Sequence, residues 1–211
     1  IEAGQEVGRV IGWHRKEWEA LTELPNLGDG LPDQQPGCGS LSTEPGVIEH
    51  LQVRHGSPDI HSRPVELTPF TDPVEACFER GWSDGLPVVP PTPERILRML
   101  GGTDRRPAEV VGRIPPDLAE CTVEKVAVNA VMAGCKPEYF PAVVAAVRAV
   151  LIPEYNLHGT LATTHPCAPT LIINGPLRKT IGINSGSNCF GQGTRANATI
   201  GRALQLTLLN I

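Results

Sequence analysis

The chain has 211 residues, which is enough for one substantial domain or for a domain with an irregular extension. Hydrophobic residues make up 40% and charged residues 19% of it, and the formal net charge is −5, a composition typical of a soluble globular protein. The acidic balance without a basic block argues against nucleic acid as the main partner, and no apolar run approaches the roughly 18–20 residues that a membrane span needs.

The N-terminal part, residues 1–68, is interrupted throughout by glycine and proline, and only Trp13–Leu24 has the apolar spacing of a helix. We interpret it as a loop-rich arm. Extended arms often hold a partner subunit, so we expect a homo- or hetero-oligomer. The main domain then covers residues 69–211. Because its last residues continue an apolar helical pattern, we expect the domain to extend beyond Ile211.

Capping residues predict where several helices of the main domain begin. Asp72-Pro73 and Thr92-Pro93 each place a cap before a proline at the first helical position, and Thr122 precedes an apolar helix. Pro137–Leu151, rich in Ala and Val, predicts a further helix that packs closely against another backbone. Glycines mark the expected ends of the first three helices: Gly81, Gly101 and Gly134.

The pattern changes after Pro153. Gly159–Thr164, Pro169–Asn174 and Thr180–Asn184 are short runs with β-branched residues, which predict strands. A glycine-rich loop and then a long helix from Thr194 complete the chain. The sequence therefore predicts an α/β or α+β fold in which helices flank a small mixed sheet.

The segment from Gly191 to Arg202 predicts an anion site. A flexible turn that leads into a helix exposes unpaired backbone N–H groups and the positive end of the helix dipole. Arg195 lies in the first turn, where a cation opposes the dipole, so an anionic ligand would explain it. An ordinary turn with Arg195 paired to a carboxylate, or a relaxed dinucleotide fingerprint, would also fit. The candidate ligand-binding residues are Gly191, Gly193, Thr194, Arg195, Asn197 and Arg202.

Six cysteines occur without a C-x-x-C pair, and no secretory signal precedes them, so we expect reduced thiols in a cytoplasmic protein. His165-Pro166-Cys167 lies between two predicted strands, where catalytic side chains are often displayed. Cys135 follows a glycine that ends a helix, and Cys189 lies in the glycine-rich loop. These four side chains are candidates for catalysis, and Cys135, Cys167 and Cys189 could instead hold a soft metal ion or an iron–sulfur cluster. Alternatively, each cysteine packs as a small apolar side chain.

Asp84 lies at the apex of the turn Trp82–Pro87. An aspartate in this position commonly closes its own turn through a hydrogen bond from a backbone N–H two residues on. A role as a general base or as a hydrogen-bond anchor stays open.

Four stretches carry a family resemblance: RGWSDGLPVVPPTPERI, AVNAVMAGCKPEYFP, TTHPCAPTLIINGP and CFGQGTRANATIGRAL. From about residue 78 to 211 the chain resembles a bacterial family linked with proteins that bear a selenocysteine-Gly-Ser-Cys motif and are labelled thioredoxin-like or thiol-disulfide isomerase. The resemblance implies a redox or thiol-dependent enzyme of small-molecule metabolism. Cys38-Gly39-Ser40-Leu41 has leucine where the second thiol of that motif would stand, so we treat this match as chance.

These patterns together favour an enzyme that acts on a small anionic organic substrate by metal- or thiol-dependent chemistry. A lyase, a hydratase or another enzyme that cleaves a carbon–heteroatom bond would use such residues. Two alternatives stay open: a thiol-based oxidoreductase, and a non-catalytic subunit whose arm engages a larger enzyme.

Overall fold

The computed structural model describes residues 47–55 and 59–211. The predicted helix Trp13–Leu24 and the residue Cys38 lie outside the described residues. The chain divides into two units, Ile1–Leu51 and Gln52–Ile211. Helix α1 (Val47–His55) begins in the first unit and ends in the second, within the segment for which the sequence predicts only loops. The other described elements all belong to the second unit.

The described part of the second unit holds seven further helices and one small sheet. The helices are α2 (Pro73–Glu79), α3 (Pro93–Leu100), α4 (Val123–Ala133), α5 (Phe140–Val150), α6 (Leu157–Ala162), α7 (Pro176–Thr180) and α8 (Arg195–Asn210). Strands β1 (Val110–Ile114) and β2 (Ala119–Thr122) pair antiparallel, with Ile114 opposite Ala119. The predicted class, a small sheet combined with helices, is confirmed.

The predicted helix starts are confirmed, and two of them show the expected cap. Asp72 Oδ1 accepts the N–H of Val74 at 2.8 Å, and the Thr122 hydroxyl accepts the N–H of Lys125 at 3.3 Å. Each bond satisfies a backbone donor that the first turn of a helix leaves without a partner. Thr92 occupies the third cap position, although its side chain makes no capping bond within the described structure.

The strand predictions are wrong in their placement. Most of Gly159–Thr164 lies in α6, which begins where the Asn156 side chain accepts a backbone N–H. Pro169–Asn174 and Thr180–Asn184 contain no strand, and Ile172 is 84% exposed. A run of β-branched residues becomes a strand only when another strand pairs with it. The observed hairpin instead joins β1 and β2, which the sequence patterns did not predict.

Helix α4 lies at the centre of the core. Nine of its eleven residues are buried, and it packs against α3, α5 and α8. Val126, Val131 and Met132 are buried, and Val128 is half-buried. The predicted helix at Pro137 begins with one 3₁₀ turn and continues as α5, most of whose Ala and Val side chains are buried in this core.

A buried carboxylate fastens the segment before α2 to the start of α4. Glu124 is 2% exposed, and its two oxygens accept the N–H groups of Ser62 at 2.7 Å and His61 at 2.9 Å. The carboxylate also lies in the first turn of α4, where the helix dipole favours negative charge. These contacts compensate for the removal of a charged group from water.

The described helices were compared with the length and composition of a membrane span. Across residues 47–55 and 59–211, none of them alone is long and apolar enough to cross a membrane. The segments Pro137–Val150 and Pro153–Ala162 meet these criteria only as a pair, and they are bent by 71° relative to each other.

Candidate functional site

The loop that precedes α8 is held by its own asparagines. Asn184 accepts the N–H of Gly186 at 2.9 Å with its side-chain oxygen and donates to the Ser187 carbonyl at 2.9 Å. Asn188 has a positive φ of 61° and donates from Nδ2 to the Gln192 carbonyl at 3.0 Å. These side-chain hydrogen bonds take the place of the backbone hydrogen bonds of a helix or a strand. The backbone of the loop is therefore held in one conformation before α8 begins.

Asn197 clamps this loop to α8. Its side-chain oxygen accepts the N–H of Asn184 at 3.0 Å, and its amide nitrogen donates to the carbonyls of Asn184 and Cys189, each at 2.9 Å. The sequence predicts Asn197 as a ligand-binding residue. In the structure both of its amide donors and its oxygen position the loop, and its role in ligand binding stays a prediction.

The glycines predicted to bind an anion have clear conformational reasons to be glycine. A Cβ at Gly191 would lie 1.8 Å from the side-chain oxygen of Asn188, which no side chain could tolerate without a shift. Gly193 has a φ of 109°, in the region that disfavours side chains. Thr194 then takes the cap position of α8 in an extended conformation, and its hydroxyl makes no capping bond to the described residues. The first turn of α8 is therefore not capped by this side chain.

Arg195 joins the start of α8 to the end of α4. Its Nε donates to the carbonyl oxygen of Gly134 at 2.9 Å. Gly134 ends α4 in the left-handed conformation, with a φ of 85°. A cation is favourable at the C-terminal end of a helix, which explains an arginine in the otherwise unfavourable first turn of α8. The side chain is exposed, and its two Nη nitrogens bond no residue in the part of the chain that the structure describes.

Arg202 does not belong to the anion site that the sequence predicts. Its Nε and Nη2 donate to the two carboxylate oxygens of Asp84 at 2.9 and 2.8 Å. Nη2 also donates to the carbonyls of Leu86 and Pro87. The bonds from Arg202 lower the pKa of the Asp84 carboxyl group. Asp84 is thus a hydrogen-bond anchor, and Arg202 fastens the Trp82–Pro87 turn to α8.

Cys135 lies under α8 and is not suited to nucleophilic catalysis. Its side chain is almost fully buried, and its Sγ donates to the carbonyl of Thr199 at 3.4 Å. Burial raises the pKa of the Cys135 thiol to about 11, because the thiolate would lose its hydration. The catalytic role predicted for Cys135 is therefore not supported, and packing explains this residue.

His165 and Cys167 lie together in an exposed turn. The N–H of Cys167 donates to the carbonyl of His165 at 2.8 Å, and the N–H of His165 donates to the Thr163 hydroxyl at 3.2 Å. Both side chains are exposed, in a segment that forms neither helix nor strand. Cys189 differs from them, because it is half-buried and belongs to the loop that Asn197 clamps.

The structure brings together only part of the predicted site. Within residues 47–55 and 59–211, no three His, Cys, Asp or Glu side chains gather closely enough to hold a metal ion. Cys135, Cys167 and Cys189 therefore do not form the predicted set of metal ligands. Arg195 and Cys135 meet at the end of α4, and Asn197 on α8 bonds the backbone of the loop that contains Cys189.

Sequence reasoning missed the residues that shape this loop, Asn184 and Asn188. Their signal in the sequence is the alternation of asparagine with glycine and serine. Asparagine tolerates positive φ and bonds to nearby backbone, so such a pattern indicates an ordered loop. Comparisons with known proteins found no matching family model, no matching curated protein and no matching solved structure.

Proposed function

We propose that this chain is an enzyme that binds a small organic anion at the start of α8 and acts on it with the thiol of Cys189. The observation that best supports this proposal is the hydrogen bonding of the Arg195 guanidinium. Its Nε is held by the end of α4, while its Nη nitrogens bond no described residue. The first turn of α8, which Thr194 does not cap, supplies backbone N–H groups next to this guanidinium. Backbone amides and a guanidinium together suit a carboxylate or a phosphate.

Cys189 is the thiol that we assign to the anion site. It lies six positions before Arg195, in the loop that Asn197 fastens to α8. Cys189 is only half-buried, so its thiol is open to a small ligand in a way that a fully buried thiol is not. Burial makes Cys135 a poor candidate for the same role. Gly191 and Gly193 would let the backbone approach the ligand closely.

The reaction that we propose is a lyase or hydratase reaction, or another cleavage of a carbon–heteroatom bond. Cys189 acts as the nucleophile, and His165 keeps its proposed role as acid or base. We prefer thiol-dependent chemistry to metal-dependent chemistry, because the described cysteines do not lie close enough together to bind a metal ion. All five described cysteines are unpaired, which supports our proposal of a reducing, cytoplasmic location.

A thiol-based oxidoreductase is the second candidate, and the exposed thiol of Cys167 favours it. This candidate would use Cys167 for exchange with a small disulfide, with His165 nearby in sequence as the base. The two candidates differ in which cysteine carries the activity. In this exchange the Cys167 thiolate attacks glutathione disulfide, forms a mixed disulfide with one glutathione and releases the other as a thiolate. Release of one glutathione per chain that is lost in Cys167→Ser and kept in Cys189→Ser would favour the second candidate.

Titration of the ¹⁵N-labelled chain with inorganic phosphate tests the anion site. We expect amide shifts that cluster at Thr194–Asn197, and about tenfold weaker binding in Arg195→Gln, which loses a charge-assisted contact. Arg113→Gln is the matched control, because it removes an exposed guanidinium from β1 and should leave binding unchanged. Shifts that avoid the start of α8, or equal losses in both variants, would overturn the proposal.

The role of Cys189 has a separate test that uses alkylation by iodoacetamide. Phosphate bound at the start of α8 should slow the alkylation of Cys189 and leave that of Cys167 unchanged. Peptide mass spectrometry measures both rates in the same sample. Equal protection of the two thiols, or none at Cys189, would show that Cys189 does not lie at the anion site.

A further inference from the structure

Helix α5 is apolar on its outer side as well as on the side that faces the core. Arg148 is the only polar residue in its sequence, FPAVVAAVRAV. Pro141, Ala145 and Ala149 are nevertheless exposed, and Ile152, just beyond the helix, is 50% exposed. A helix at a free surface normally carries polar residues on its outer side, and a helix that is apolar all round is normally covered.

This outer side forms one wall of a shallow groove of about 520 Å³. Pro141, Ala145, Ala149 and Ile152 belong to its apolar lining, and Thr103, Arg105 and Arg148 contribute polar groups. The side chains along α5 are small, and the distance between packed helices depends on the side chains at the contact. A second helix could therefore approach the backbone of α5 closely.

Two opposite charges flank the apolar stretch. Glu138, in the 3₁₀ turn that leads into α5, and Arg148 are both exposed and lie ten residues apart, about 15 Å at the rise of an α-helix. The positions 141, 145 and 148 are spaced by three and four, which places them on one side of α5, and 138 and 152 continue this spacing beyond its two ends. Neither charge forms an ion pair with any residue in the described part of the chain. Arg105, by contrast, already pairs with Glu109.

We infer that α5 is the surface through which two copies of this chain pair, with their α5 helices antiparallel. A two-fold axis near Val143 places Glu138 of each copy opposite the partner's Arg148, so the same ion pair forms twice. Pro141 then meets the partner's Ala145 where the helices cross, and the small side chains permit close contact. The resulting interface has an apolar centre and charges at its rim, as specific interfaces do.

The charge pattern is self-complementary, and this property favours a second copy over other occupants. A different protein, or residues 1–46 of the same chain, could cover the apolar stretch equally well. Neither of these occupants would require an acidic residue, Glu138, and a basic residue, Arg148, at equal distances from Val143. A two-fold pair does require this placement, because each residue must meet its complement on an identical surface.

Charge reversal tests the inference by sedimentation equilibrium of the full chain. Wild type should dimerise, and Glu138→Arg and Arg148→Glu should each dimerise at least about tenfold more weakly, since both ion pairs become repulsive. An equimolar mixture of the two variants should form a heterodimer with an affinity within about threefold of wild type. In the mixed pair, arginine again faces glutamate at both ends of the interface.

Two further variants control for the general effect of a charge change and test the crossing point of the helices. Lys179→Glu reverses an exposed charge on α7, outside the groove, and should dimerise as wild type does. Ala145→Glu places a charge at the crossing point and should give a monomer whose circular dichroism is that of the folded chain. A monomeric wild type, unchanged dimerisation in the single variants, or a mixture that stays monomeric would overturn the inference. The last result is the one expected if another occupant covers α5.

Discussion

Arg202 on α8 and Asp84 in the turn before α3 form a forked ion pair, although they lie 118 positions apart in sequence. The two charge-assisted hydrogen bonds are 2.8 and 2.9 Å long, and both side chains are only 19% exposed. Partial burial reduces screening by solvent, and the planar guanidinium matches the carboxylate in geometry. The pair therefore fixes the turn against α8.

Replacing Asp84 with Asn is expected to lower the free energy of unfolding by about 2 kcal/mol near neutral pH. The neutral amide can no longer accept both charge-assisted bonds, and Arg202 loses its counter-charge. Urea denaturation measures the effect. Asp117→Asn, at an exposed position in the hairpin turn, is the matched control and should change stability by less than about 0.5 kcal/mol. A similar loss in both variants would contradict a special role for Asp84.

The same pair predicts how stability depends on pH. The bonds from Arg202 lower the pKa of Asp84 in the folded state below its ordinary value of 3.8. A carboxyl group with a lowered pKa contributes stability above its unfolded pKa, and this contribution is lost as the pH falls through the folded value. The difference in unfolding free energy between wild type and Asp84→Asn should thus be constant near neutrality and shrink below about pH 4. A difference that grows on acidification would be inconsistent with the ion pair.

The thiols should differ sharply in their rates of alkylation. Burial raises the pKa of both the Cys121 and the Cys135 thiols to about 11, and neither is accessible in the folded state. Cys167 is exposed. At about pH 8, iodoacetamide should therefore modify Cys167 first and should modify Cys121 and Cys135 only after unfolding. Peptide mass spectrometry of timed samples measures this order. Modification of Cys135 as fast as that of Cys167 would refute its burial beneath α8.

The helices could be predicted from the sequence because the signals at their ends are local. Asp72 and Thr122 each bond a backbone N–H two or three positions ahead, so their neighbours alone reveal the cap. Strands are different, because a strand depends on a partner that can lie far away in sequence. Pro169–Asn174 has the composition of a strand but pairs with none, while β1 pairs with β2 around a short turn.

The contacts of the candidate site residues could not be predicted from the sequence. The unusual position of Arg195 in a first helical turn pointed to a partner, and the structure supplies the carbonyl of Gly134, 61 positions away. Nothing in the sequence near Arg202 indicates that its guanidinium forms an ion pair with Asp84. A metal site made of Cys135, Cys167 and Cys189 requires that the tertiary structure bring the three thiols together, which the sequence alone cannot show. In the described structure these side chains do not lie close enough together to bind a metal ion.

Removing the side chain of Asn197 should loosen the loop before α8. Asn197→Ala loses three hydrogen bonds to backbone groups of the loop, and we expect a loss of about 2 kcal/mol in the free energy of unfolding. Hydrogen exchange of the Asn184 amide should become faster, since its acceptor is gone. Gln205→Ala, at an exposed position of the same helix, should leave both quantities unchanged. Unaltered exchange at Asn184 in the Asn197 variant would count against the clamp.

Gly191 is expected to be coupled to Asn188. In Gly191→Ala the new Cβ would lie 1.8 Å from the Asn188 side-chain oxygen, so that side chain must move and lose its 3.0 Å bond to the Gln192 carbonyl. We expect a cost of about 1 kcal/mol, and almost no cost for the same change in an Asn188→Gly background, where the obstacle is absent. Gly186→Ala is the control, because its Cβ would meet only an ordinary contact at 3.6 Å. Urea denaturation of the single and double variants measures the coupling. Strictly additive costs would show that the two residues do not constrain each other.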